Sequence, residues 1–148
     1  MNNLFFDFSI YKVPDLENFQ EELSGNNQRC ILIGFLDENR DELEIFLKKI
    51  INSAKIEYEK DCIILRGSSA ALLPPFSKIN SMHKIEKAVL FGMNGNDLGL
   101  NIHTPLYIPF EFNNCSFLFA DKLSVIEQSV ERKKALWLGL QTLFLSSI

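Results

Sequence analysis

The sequence predicts a three-layer α/β domain built on a short, mainly parallel sheet. Two observations carry this. Continuous apolar runs at residues 30–35, 62–65 and 88–91, and a last strand at 116–119 that is apolar after Ser116, suit strands covered on both faces, as parallel strands are. Between and after them lie segments whose apolar residues recur at intervals of three and four, the signature of helices that bury one face. A chain of 148 residues, 47% apolar and 23% charged, has the size and composition of one globular domain.

Residues 1–28 read as an arm ahead of a main domain at 29–148. Leu4, Phe5, Phe6, Phe8, Ile10 and Tyr11 need an apolar environment. Pro14 suits the first turn of a short helix, with Leu16, Phe19 and Leu23 on one face and Gly25 closing it. Gly25-Asn26-Asn27 is a turn. After the first strand, Asp37-Glu38-Asn39 stands where a helix start is expected. That helix covers 41–54, with Leu43, Phe46, Leu47, Ile50 and Ile51 inward. Arg66-Gly67-Ser68-Ser69 ends the second strand, and Pro74-Pro75 precedes a short helix at 76–83. Gly92 ends the third strand, and Asn94-Gly95-Asn96 marks a tight turn. Residues 106–110 are extended, and Pro109 places them at a sheet edge. Asn113-Asn114 turns them into the last strand, which makes 107–119 a hairpin. A helical turn at 123–126 leads to a helix at 131–145, with Leu136, Leu140, Leu143 and Phe144 as its stripe and Trp137 beside them.

The net charge of −4 and the pI near 5.2 argue against a broad phosphate-tracking surface and leave room only for a local basic patch. Cys30, Cys62 and Cys115 are far apart and lack C-x-x-C spacing, so they read as small hydrophobes of a reducing cytoplasm. His83 and His103 are the only histidines and do not suggest a zinc site. No Walker A, G-x-G-x-x-G or G-x-S-x-G motif occurs. The expectation is a cytoplasmic protein with no metal, no cofactor and no membrane association. No apolar stretch reaches the ~20 residues of a membrane span, and the N-terminus lacks a basic start.

The C-terminal third carries a resemblance. Lys87-Ala88-Val89-Leu90-Phe91-Gly92 is followed by the hairpin, a strand, a loop and Lys133-Lys134-Ala135-Leu136-Trp137-Leu138-Gly139-Leu140. This order, with its Lys-Lys-x-Leu-Trp-x-x-Leu pattern, resembles the second half of uracil-DNA glycosylases of the family-4 type. With residues 30–35 as the first strand, the likeness spans roughly residues 30–145. It implies a glycosylase-like fold with its site at the strand ends, near Asp37, Glu38, Gly92 and Phe119. The family's Gly-Glu-x-Pro-Gly-like loop is not matched at Gly34-Phe35-Leu36-Asp37-Glu38-Asn39, and Phe119 or Ala120 stands where its histidine belongs. Neither residue can donate a hydrogen bond to a developing base anion. The implied protein is catalytically degenerate. In size, missing chemistry and apolar arm it is also similar to the psi-subunit family of bacterial clamp-loader assemblies. That similarity implies a protein partner, a replicase or clamp-loader subunit.

Each candidate residue has two readings. Asp37 and Glu38 are water-positioning acids, or carboxylates favoured at a helix start. Gly92-Met93-Asn94-Gly95-Asn96 is a phosphate loop or a plain turn. His103 is a catalytic group or a surface hydrogen-bonding residue. Arg132, Lys133 and Lys134 contact phosphate, or form a solvated basic surface. Phe5, Phe6, Phe8 and Tyr11 anchor a partner if the arm projects, or extend the core if it packs back. Three functions follow: a non-catalytic interaction subunit, a diverged base-excision enzyme, or a small-nucleotide-binding domain using the strand ends near Gly34 and Gly92.

Overall fold

The structure, a computed structural model, describes residues 23–69 and 72–145. It is an α/β domain with six strands in one sheet. The strands are β1 (Leu23–Ser24), β2 (Ile31–Leu36), β3 (Cys62–Gly67), β4 (Lys87–Phe91), β5 (Phe110–Phe112) and β6 (Cys115–Ala120). The helices are α1 (Asp41–Ser53), α2 (Tyr58–Asp61), α3 (Phe76–Met82), α4 (Leu123–Glu127) and α5 (Val130–Leu140), which continues into a π-helical turn, Gln141–Leu145. Among the described residues, no helix is long and apolar enough to cross a membrane.

The sheet order is β1-β3-β2-β4-β6-β5. The inner four strands are parallel, with Ile33 opposite both Ile64 and Val89, and Val89 opposite Leu118. Both edge strands are short and antiparallel. The four apolar runs read from sequence are these inner strands, and alternation along them builds two cores. Ile31, Ile33, Phe35, Ile64, Val89, Phe91, Leu118 and Ala120 face α1, α4 and α5. Leu32, Ile63, Leu65, Ala88, Leu90, Phe117 and Phe119 face α3 and the 3-10 turn Asn96–Leu98. Helices on both faces of a mainly parallel sheet make the three layers that were expected.

Helix α1 buries Leu43, Leu47 and Ile51 and ends in a left-handed cap. Lys55 has φ +65, its N–H donates to the Asn52 carbonyl, and the Ile56 N–H donates to the Ile51 carbonyl. The Asn113-Asn114 turn has φ +54 and +64, the two-residue geometry that matches strand twist.

Two local expectations change. Leu23 is not on a helical stripe; it lies in the edge strand β1 and pairs with Leu65 of the inner strand β3, while Pro14, Leu16 and Phe19 of the expected helix lie outside the described residues. Its strand partner also supplies the apolar contacts that the helix stripe was meant to give. The hairpin is not continuous either. Phe110 pairs antiparallel with Phe117, but Leu106 meets Phe119 in an isolated parallel bridge, so the chain around Leu106 runs in the direction of β6 and reverses before β5. Tyr107, next to that bridge, has φ +67 and donates its N–H to the Phe119 carbonyl.

Candidate functional site

Strand order reverses at β2 and β4, so the crevice outside their carboxyl ends is where an open α/β sheet offers a binding site. The loops after β2, β4 and β6 meet there. Gly34 is no ligand cradle in this crevice, because a Cβ there would lie 2.7 Å from the Leu90 side chain and close to Met93.

The loop after β2 is tied to the protein's own groups. Asp37 donates its N–H to the Gly67 carbonyl, and its Oδ1 accepts from the Asn39 N–H at 2.8 Å. Glu38 reaches across the sheet end to the start of α4. Its Oε1 accepts from Ser124 Oγ at 2.6 Å and its Oε2 from the Ser124 N–H at 3.3 Å. Arg40 makes a second tie, to Glu127 of α4 at 3.1 Å. The helix-start reading of Asp37 and Glu38 therefore needs correction. The residue preceding α1 is Arg40, with no side-chain cap, while the acids of its first turn are Asp41, Glu42 and Glu44. Glu38 instead accepts the Ser124 N–H in the first turn of α4, whose own cap position, Lys122, makes no side-chain cap bond.

Gly92 does cross to positive φ, +73, but its N–H donates to the Ala120 carbonyl at 2.9 Å and is not presented to a phosphate. Lys122 lies against it, so close that a Cβ would fall 2.9 Å from Lys122 Cγ. Phe119 is fully buried and stacks on Phe117 and Phe110, with centroids 5.9 and 6.0 Å apart. It belongs to the α3-side core, not to the mouth of the crevice.

The residue that does emerge after β6 is Asp121. Its Oδ2 accepts from the Tyr107 hydroxyl at 2.6 Å and from Arg132 Nε at 3.0 Å. Burial, reinforced by the bond to Asp121, pushes the Tyr107 phenol up to about 12. The trio couples the segment before β5, the end of β6 and α5. Sequence reasoning missed Tyr107, Asp121 and Ser124. An acid directly after an apolar run was a usable signal for Asp121; the other two act only through contacts distant in sequence.

An open groove of about 260 Å³ runs along the ends of β4 and β6, lined among others by Asn94, Asp97, Asp121 and Lys122. Through Asn94 it joins a hollow of about 530 Å³ bordered by Asn96, Asn101, Ile102, His103 and Thr104. Asn94 and Asp97 exchange two 3.0 Å hydrogen bonds between side chain and backbone, which holds this wall as the turn read from sequence. The surface is rich in amides and can donate to and accept from a polar ligand.

The basic cluster divides. Arg132 is held by Asp121, Lys133 lies 5.8 Å over the Phe46 ring, and Lys134 is exposed. Ser129 caps α5 by accepting the Arg132 N–H at 3.2 Å. Phe5, Phe6, Phe8 and Tyr11 lie outside the described residues. Among the described residues, no three His, Cys, Asp or Glu side chains converge on a metal position. Comparison with protein families and with curated proteins finds no match to this chain.

Proposed function

We propose that this protein is a non-catalytic interaction subunit with a glycosylase-like fold, of the psi-like kind, whose partner is a replicase or clamp-loader subunit. One observation carries the reading. The acid best placed to position water after the first parallel strand, Glu38, has both oxygens turned to Ser124, where they fasten two loops together. A carboxylate used as a clasp is poorly available as a general base, which must reach the proton it removes. The buried Phe119 and Ala120 supply no donor for a base anion either. The recognition work then falls to surfaces, with Phe5, Phe6, Phe8 and Tyr11 as the anchors.

The test is affinity capture from native lysate with the full chain and with a variant carrying Phe5→Ala, Phe6→Ala, Phe8→Ala and Tyr11→Ala. A specific partner, replicase subunits first among the candidates, is expected with the native chain and lost with the variant. Recovery of no specific partner, or equal recovery by both proteins, overturns the reading.

The polar groove at the ends of β4 and β6 favours a second reading, a small-nucleotide-binding domain. Melting temperatures measured with a panel of nucleotides test it. A site that is occupied raises the midpoint, and an unchanged midpoint at millimolar nucleotide removes this reading.

A further inference from the structure

The groove between α1 and α5 has no part in the site above. Phe46, Ile50, Leu136 and Trp137 form its floor and walls, with Ser53 and Lys133 at the margin. Its volume of about 160 Å³ is below that of a pocket for a small-molecule ligand and suits a single inserted side chain. The rim is basic on both walls. Lys133 and Lys134 are exposed on α5, and Lys49 is exposed on α1 one turn from Phe46 and Ser53. Glu42, the acid on that stripe of α1, is engaged by Arg40 at 3.3 Å. A basic rim around an apolar floor stands out on a chain of net charge −4.

The same chain holds a segment of the opposite character. Residues 1–22 contain Leu4, Phe5, Phe6, Phe8, Ile10 and Tyr11, and carry Asp7, Asp15, Glu17, Glu21 and Glu22 against a single lysine, Lys12. The aromatics at 5–11 lie 12 to 18 residues before Leu23, an extended reach of about 40–60 Å, enough to cross a domain of this size. We infer that the N-terminal segment docks in cis on the α1–α5 groove, an aromatic of residues 5–11 entering between Phe46 and Trp137 while its acids face Lys49, Lys133 and Lys134. The inference rests on the proposed reading of the arm as a partner-docking segment and deepens it: without a partner the segment occupies its own groove, and a partner must displace it.

Trp137 is the only tryptophan of the chain and sits in the groove, so it reports occupancy directly. Emission and acrylamide quenching are measured on the full chain, on Phe5→Ala/Phe6→Ala/Phe8→Ala and on Lys133→Glu/Lys134→Glu, with far-UV circular dichroism to confirm folding. Both variants are expected to show a red-shifted emission and stronger quenching than the native chain. Salt at about 1 M, where the Debye length is ~3 Å, should move the native chain the same way. All of this should be independent of protein concentration. Emission and quenching unchanged in the triple phenylalanine variant overturn the docking. A signal that varies with concentration assigns the groove to a second copy and overturns docking in cis. Because no partner is added, failure here leaves the capture experiment standing, and failure of the capture experiment leaves this one standing.

Discussion

The clasp between Glu38 and Ser124 makes a quantitative prediction. It joins the loop after β2 to the first turn of α4 across 86 positions of sequence. Two bonds are involved, at 2.6 and 3.3 Å, and both groups are half-buried. A hydrogen bond to a charged group contributes about 1.5–3 kcal/mol net. Partial exposure screens that value, and the second bond is at the long end of the accepted range. Ser124→Ala, which removes only the short bond, is expected to cost about 1 kcal/mol, and Glu38→Ala, which removes both, about 2 kcal/mol. The double variant should cost about as much as Glu38→Ala alone, because the serine hydroxyl contributes through Glu38. The coupling energy is then about 1 kcal/mol. Urea unfolding followed by circular dichroism, fitted with a common slope, measures all four proteins. Strictly additive costs would refute the clasp. So would a Glu38→Ala cost lost in the ±0.5 kcal/mol or so expected of an ordinary surface substitution. A uracil-containing single-stranded DNA assay on the native chain complements this, since base release above a buffer control would restore Glu38 or Asp37 to a catalytic role.

Four further outcomes follow from other parts of the fold. Lys55→Gly, at φ +65 in the α1 cap, should raise stability by about 1 kcal/mol in the same urea assay, since the cap is made by backbone groups alone. Gly139→Ala should lower it by about 1–2 kcal/mol despite the better helix propensity, because the new methyl would lie 3.0 Å from Leu118 Cδ1 and 3.1 Å from the Tyr107 carbonyl. Cys62 and Cys115 are buried, and burial first of all pushes both thiols up to about 12, so a disulfide reagent at pH 8 should label them only after unfolding. Tyr107 keeps its proton to about 12 in the folded chain against a usual 10.0, so its contribution is complete below pH 10 and is lost as pH rises through 12. Tyr107→Phe should therefore flatten the alkaline fall in stability relative to the native chain, and an unchanged slope would remove Tyr107 as a contributor.

The inner sheet was readable because burial on both faces leaves a mark that needs no partner to interpret. Four apolar runs, bounded by Gly67, Gly92 and the Asn113-Asn114 turn, became four parallel strands, and α1 showed its inward stripe in the same way. The edges were less readable. Two residues of β1 cannot display a period, and Leu23 fits a helical stripe as well as a strand. The candidate site was readable only as a location. Glu38 could be placed at the sheet end, yet nothing local announces Ser124. Tyr107 reaches Asp121 from beside an isolated parallel bridge and through a left-handed backbone that a tyrosine does not advertise. The last strand runs one residue past the expected Phe119, to Ala120, so the first residue beyond it is Asp121.

Alternation along β6 decides where the side chains at its end point. Phe119 points into the α3-side core, stacked against Phe117 and Phe110, so a histidine there would be buried among apolar rings, at a cost of about 1–3 kcal/mol. Ala120 points into the opposite core with Leu123 and Ile126, where an imidazole would overfill a closed space. Asp121, next along the chain, lines the groove beside Ala120, and its carboxylate is already engaged by Tyr107 and Arg132. The end of β6 is therefore a structural junction that ties the segment before β5 to α5, and the donors the groove does offer come from the neighbouring Asn94 and Lys122.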